Sequence, residues 1–248
     1  MNNKESLIDL FIHDLTGPLS IASTCVNSLL EKQDKYGTVT DRQKATLKMA
    51  LRNVNKAQTF LKEMIEIYRS EEGLFKQELC SIKDIVKESV VDAIEMLDPA
   101  GAEKLYAQED GEGFRRFLEK RGVFVDISGR FSTAPFCHDE KKIQQILRNL
   151  ITNALKYRRE KITIGIGGDK DLVITVKDDG PGIPQEKQSS VFKRFSRVNE
   201  KGQADVTGLG FGLSCVKTIV ETMSGNITVV SKNGEGTCFT VRIPPLQA

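Results

Sequence analysis

Histidine, asparagine, aspartate and glycine are the residue types in this 248-residue chain whose spacing could do chemistry. His13 opens the stretch His13-Asp14-Leu15-Thr16-Gly17-Pro18-Leu19. Far downstream, Asn149 and Asn153 stand four apart, followed by Lys156 and Tyr157. Asp178 precedes the turn Gly180-Pro181-Gly182-Ile183, and Gly208-Leu209-Gly210-Phe211-Gly212-Leu213 leads into an apolar periodic segment. An imidazole at one end of the chain and a set of amides, a carboxylate and glycine turns at the other suggest a nucleotide pocket and phosphoryl transfer onto a ring nitrogen.

Each piece has a physical reason to be there. A four-residue step puts both asparagine amides on one helical face. Two such residues alone read as a solvated stripe, but Ile143, Ile146, Leu147, Leu150 and Ile151 surround them, and an amide kept near a core wants a partner. A Mg²⁺-phosphate group suits, because Mg²⁺ prefers oxygen ligands and shares them with phosphates. A carboxylate at a strand end, such as Asp178, can accept from an adenine amino group while glycines let the base approach the backbone. Free amides and the dipole at the helix start after Gly208–Gly212 suit phosphate oxygens. That glycine triplet is weak evidence alone, being neither a P-loop nor a dinucleotide fingerprint.

The elements that must position these residues follow from periodicity. Leu7, Phe11, Leu15, Leu19, Ala22, Val26 and Leu29 recur at three- and four-residue steps and predict one helical stripe. His13 falls on the opposite, polar strip with Thr16, Ser20, Thr24, Asn27 and Glu31, so the imidazole is presented outward, with a kink expected at Pro18. Thr40 and Gln43 form a capping box for a second helix. There Leu47, Leu51, Val54, Leu61, Ile65 and Tyr68, with Gln58 at the missing step, make a heptad seam. The spacing predicts an antiparallel hairpin over residues 1–72, and more apolar surface than one partner helix hides, hence a homodimer closing a four-helix bundle.

After Gly73 helices and strands alternate, predicting an α+β chain in which residues 73–248 form an α/β sandwich with a mixed sheet and helices on one side. Helices are expected over Ser81–Leu97 (capped by Ser81), Asp139–Tyr157 (capped by Asp139) and Gly210–Met223. Strands are expected over Val123–Ile127, Phe131–Phe136, Ile162–Ile166, Leu172–Val176, Ile227–Val230 and Cys238–Ile243. Pro181 to Gly208 reads as a loop.

Thirty-six Lys and Arg against 34 Asp and Glu give a net charge of +2, so no bulk field recruits nucleic acid or anionic membrane. Cys25, Cys80, Cys137, Cys215 and Cys238 lie far apart, which argues against a zinc cage or disulfide frame and for a reducing cytoplasm. No apolar run reaches the roughly 20 residues of a membrane span, although a membrane-bound parent could have been trimmed.

Taken in order, these motifs resemble the catalytic core of sensor histidine kinases over nearly the whole chain. His13 to Leu19 resembles the phosphoacceptor box, Asn149 to Tyr157 the asparagine box, and Asp178 to Ile183 the first glycine box. Phe192-Lys193-Arg194-Phe195 resembles the phenylalanine box, Gly208 to Leu213 the second glycine box, and Gly234-Glu235-Gly236-Thr237 the last. The resemblance implies a dimerising phosphoacceptor hairpin joined to the ATP-binding sandwich shared with gyrase and mismatch-repair ATPases. It implies ATP and Mg²⁺ as ligands, with Asp178 on the adenine amino group, Asn149 and Asn153 holding Mg²⁺ and phosphates (Asn153 on the metal), and Lys156 and Tyr157 lining the nucleotide. Gly180, Gly182, Ile183, Phe195, Gly208, Leu209, Gly210, Phe211, Gly212, Leu213 and Thr237 join that binding set. His13 would take the phosphoryl group with Asp14 as general base, then pass it to a response-regulator receiver domain.

Two departures qualify the resemblance. Four residues after the histidine the family commonly has Thr or Asn, which positions water for dephosphorylating the partner; Gly17 stands here, so phosphatase activity is expected to be weak. Residues 98–117 form an insertion, expected as a surface loop with an exposed acidic turn at Asp110-Gly111-Glu112-Gly113. An ATP-binding pseudokinase scaffold and another ATPase of the same superfamily remain the alternatives.

Overall fold

A computed structural model describes residues 3–71, 75–106, 111–193 and 212–246. The chain falls into two compact units, Met1–Arg69 and Ser70–Ala248.

The first unit is a helical hairpin: α1 (Asn3–Glu31), a single turn α2 (Gln33–Tyr36) and α3 (Asp41–Glu71). Pro18 lies inside α1. The capping box forms, with the Thr40 amide donating to Gln43 Oε1 at 2.9 Å and the Gln43 amide to Thr40 Oγ1 at 3.3 Å. Gln58 Nε2 donates to Ser20 Oγ and Ser23 Oγ to Asn55 Oδ1, both at 3.4 Å. The partner number falls from 58 to 55 as the α1 position rises from 20 to 23, so the helices run antiparallel. Leu47, Leu51, Val54, Gln58 and Leu61 are half-buried, and none of the residues from Asp14 to Leu61 whose side chains are described is buried within one chain.

The second unit runs β1 (Glu78–Cys80), α4 (Ile82–Leu97), α5 (Pro99–Tyr106), α6 (Gly111–Lys120), β2 (Val123–Ile127), a 3-10 turn (Gly129–Ser132), β3 (Phe136–His138), α7 (Glu140–Tyr157), β4 (Ile162–Gly167), β5 (Leu172–Asp178), α8 (Gln185–Gln188), α9 (Gly212–Thr222), β6 (Asn226–Lys232) and β7 (Gly236–Ile243). Five strands form one sheet in the order β2-β4-β5-β7-β6, and β1 pairs with β3 apart from it. Among the described strands of that sheet, β2 and β4 alone run parallel, so it is mixed as expected. Ile162, Ile164, Ile166, Leu172, Ile174, Val176, Val241 and Ile243 are buried on one sheet face. α7 packs on β4 and β5, with α4 and α9 on its flanks. Its side chains Ile143, Ile146, Leu147, Leu150 and Ile151 are fully buried, and this two-layer core fixes the roll of α7.

Several local expectations are corrected. The strand expected over Phe131–Phe136 is instead a 3-10 turn followed by β3. Gly129 takes φ 66° to start that turn, and Phe131 and Phe136 meet edge to face at 5.4 Å. The apolar spacing there records two aromatics folded against each other, not a pleat. Ser81 stands at the N-cap of α4 without a side-chain cap hydrogen bond, whereas Asp139 accepts from the Lys142 amide at 3.1 Å. The described part of the insertion is helical rather than a loop: Gly111 opens α6, and Glu112, expected in an exposed turn, pairs with Arg116 one helical turn on, while Asp110 lies outside the described residues. Arg121 fastens the insertion, its Nη1 2.6 Å from Asp98 Oδ2 and its guanidinium 4.6 Å from the Phe117 ring centre. Within the segment read as a loop from Pro181, residues 185–188 form α8.

Candidate nucleotide site

One face of α7 is spent on the core, which leaves Asn149, Thr152, Asn153 and Lys156 half-buried on another. Lys156 Nζ sits 5.4 Å from the Tyr157 ring centre, and Tyr157 is exposed. Thr152 Oγ1 is buried and has no hydrogen-bond partner among the described residues, an orphaned hydroxyl between the two asparagines. Sequence reasoning passed over Thr152, although its position three residues after Asn149 puts it on the same side.

Asp178 ends β5, in register with Ile162 of β4 and Thr237 of β7, and is 6% exposed. Burial pushes its carboxyl above the usual carboxylate range, and hydrogen bonds from the Gly180 and Thr237 amides pull partly back. The Gly180 amide is 2.8 Å from Asp178 Oδ1. Gly180 is required by close approach, because a Cβ there would run into the carbonyl oxygen of Tyr157 at the end of α7. Gly182 takes φ 73°, which favours glycine.

Ser231 on β6, unremarked in the sequence, binds the first and last glycine boxes together. Its Oγ donates to the Gly236 carbonyl at 2.8 Å and accepts the Ile183 amide at 2.8 Å. With that proton committed, the 2.9 Å contact between Ser231 and Thr237 hydroxyls has Thr237 as donor.

Gly212 is the first residue of α9, and it faces the asparagines: a Cβ built on it would stand 3.4 Å from Asn149 Oδ1 and 3.9 Å from Asn153 Nδ2. Leu213 follows, half-buried. One turn back on α7, buried Gln145 donates to Cys215 Sγ of α9 at 3.3 Å, a contact between the helices that sequence reading did not single out. Phe192 packs edge-on to Phe239 of β7 with ring centres 6.1 Å apart, which anchors the start of the phenylalanine box. Phe195, Gly208, Leu209, Gly210 and Phe211 lie outside the described residues.

Asp179, which its sequence neighbourhood does not single out, accepts the amides of Arg159, Glu160 and Lys161 at 2.9, 3.1 and 3.0 Å. Against a burial that pushes it up, these amides hold its carboxyl below the usual carboxylate range. In the hairpin unit, His13 lies within α1 by its backbone, with its side chain outside the described set, and Asp14 beside it is exposed.

The donors around α7 fit a hard cation carrying phosphate: amide oxygens, an orphaned hydroxyl and a helix start opposite them. Asp178, in turn, offers a desolvated acceptor of the kind that selects an amino group.

Residues 138–247 match the family described as Histidine kinase-, DNA gyrase B-, and HSP90-like ATPase. The chain is similar to the Adaptive-response sensory kinase SasA of Prochlorococcus marinus, 26% identical over 249 residues that take in 98% of this chain and 58% of that protein. It is 36% identical to the Sensor histidine kinase WalK of Bacillus subtilis over 136 residues, 53% of this chain and 20% of WalK. The chain thus spans only part of the curated relatives it matches, 58% of SasA. Among solved structures, full-length ShkA in complex with AMPPNP has a TM-score of 0.68 at 18% identity, covering 98% of this chain and 46% of ShkA. The Acinetobacter baumannii histidine kinase AdeS has a TM-score of 0.58 at 21% identity, covering 95% of this chain and 98% of the AdeS chain.

Proposed function

We infer the activity of this chain from its being a sensor histidine kinase catalytic core: it binds ATP along α7 and transfers the γ-phosphoryl group to His13. The observation that carries this reading is that α7 is met at two places by glycines, Gly180 of the turn after β5 at Tyr157 and Gly212 at the start of α9 at Asn149. A ligand lying along that helix would reach a base acceptor at one end and a phosphate-binding helix start at the other.

Asp178 accepts the adenine amino group, and the Gly180 and Thr237 amides offset part of the burial that pushes its carboxyl above the usual carboxylate range. Asn149 and Asn153 would hold the phosphates and Mg²⁺, with Asn153 as the metal's ligand, and Lys156 and Tyr157 would line the nucleotide. Mg²⁺ would neutralise charge gathering on the phosphoryl oxygens. A neutral ring nitrogen of His13 forms the new N–P bond as the bond from the γ-phosphorus to its bridging oxygen breaks and ADP leaves. Asp14 orients the ring and takes the proton from its other nitrogen. The phosphoryl group then passes to an aspartate of a response-regulator receiver domain. The half-buried seam on α3 supports a homodimer through the hairpin.

Incubation with γ-labelled ATP and Mg²⁺ tests this reading. The expected product carries acid-labile, alkali-stable label, and His13→Gln abolishes it while nucleotide binding survives. Acid-stable label in that variant overturns the assignment to His13. Nucleotide binding without any label in the wild type selects the pseudokinase scaffold instead.

A further inference from the structure

Adjacent residues Asp178 and Asp179 do opposite things. Asp178 is buried with its carboxyl toward the Gly180 and Thr237 amides, while Asp179 takes three consecutive amides of the turn that leaves α7. Glu160 donates to both oxygens, at 3.1 and 3.2 Å, and the Asp179 amide returns a hydrogen bond to the Lys161 carbonyl at 3.2 Å. Hydrogen bonds to an ionised acceptor are roughly twice as strong as neutral ones, so this is a firm junction between the end of β5 and the end of α7.

We propose that Asp179 is a positioning residue for nucleotide binding: a latch that fixes the distance from the Asp178 carboxylate to the asparagine face of α7. The inference rests on the nucleotide reading of the site. A ligand that bridges two elements gains from both sets of contacts only if they are held at its own length. Asp178 and Asp179 share one peptide unit, so loosening the turn at Arg159–Lys161 lets α7 shift against the base acceptor. Gly180, packed on the Tyr157 carbonyl, keeps the two in touch but supplies no hydrogen bond to that turn.

The test compares two ligands on the full chain by calorimetry. Adenosine reaches the Asp178 end alone, whereas Mg·ATP spans to the asparagines. Asp179→Ala is expected to weaken Mg·ATP about tenfold more than adenosine, a difference near 1.4 kcal/mol. Asp179→Asn keeps one carbonyl acceptor and gives a smaller change in the same ratio. A residue that merely stabilised the fold would lower the melting midpoint and leave the ratio of the two affinities unchanged, and that result overturns the latch. If Asp179→Ala does not fold, the ratio in Asp179→Asn decides on the same terms. Failure of the wild type to bind Mg·ATP sinks the nucleotide reading and the latch with it, whereas an unchanged ratio in a wild type that binds sinks the latch alone.

Discussion

Gly212 looks directly onto Asn149: the space where its side chain would begin lies 3.4 Å from the asparagine Oδ1, an ordinary contact distance. Two elements separated by more than fifty residues of sequence are brought together there with room for one methyl group. At Gly180 the corresponding space is already taken by the backbone of Tyr157.

These two glycines therefore respond differently to the same change. Gly212→Ala is expected to leave the melting midpoint within a few degrees and to weaken Mg·ATP by about tenfold, because the methyl stands between the start of α9 and the asparagines. Gly180→Ala forces backbone apart, costs about 1–3 kcal/mol and lowers the midpoint by about 2–4 °C for each of them. Thermal melts and ligand titrations on the pair check this. A destabilised Gly212→Ala that retains full affinity contradicts the geometry.

Asp178→Asn separates ligand binding from pH-dependent stability. On the proposed role, trading the carboxyl for an amide leaves the adenine amino group poorly paired and weakens ATP by roughly tenfold to a hundredfold. Because burial raises the Asp178 carboxyl in the folded protein, its contribution to wild-type stability is full at acid pH. That contribution is lost as pH climbs from the ordinary carboxylate range, about 4, through the raised value. The asparagine variant has no such proton, so wild-type stability relative to it declines with rising pH across that window and is level outside it. Denaturant midpoints at a series of pH values measure the difference; a gap that moves in favour of the wild type as pH rises contradicts the assignment.

Gly17 is exposed on α1, and a Cβ built there meets no atom of the described residues within 4 Å. Gly17→Thr is thus accommodated sterically and also removes a helix-weakening glycine. Weak dephosphorylation of a phosphorylated partner regulator is expected of the wild type, and a severalfold faster reaction of the Gly17→Thr variant. Rapid loss of phosphate with Gly17 in place counts against the reading.

Much of the architecture was legible because long periodic segments dominate it. The stripe on α7 located the asparagine face from Ile143, Ile146, Leu147, Leu150 and Ile151 alone, all of which are fully buried. The glycines were legible as turns, but Gly212 could not be matched to Asn149 by spacing, since that contact depends on how α9 docks. Asp179 and Ser231 escaped for a related reason: each acts by accepting or relaying backbone amides from a distant stretch of chain, and nothing in their own neighbourhood announces those donors. The insertion was misread because Gly111 and Gly113 look like a turn, whereas Phe114, Phe117 and Leu118 supply a helical stripe that buries Leu118. β1 escaped because three residues hold no pattern, and only pairing with β3 makes them a strand.

Asp139 serves two masters. One carboxylate oxygen caps α7 through the Lys142 amide at 3.1 Å, and the other takes the amide of Lys76 at 3.0 Å, just downstream of the hairpin in the chain. The start of the asparagine helix and the segment that enters β1 thus meet at the Asp139 side chain. Tension drawing Lys76 away would strip that oxygen of its partner and be felt at once in the first turn of α7.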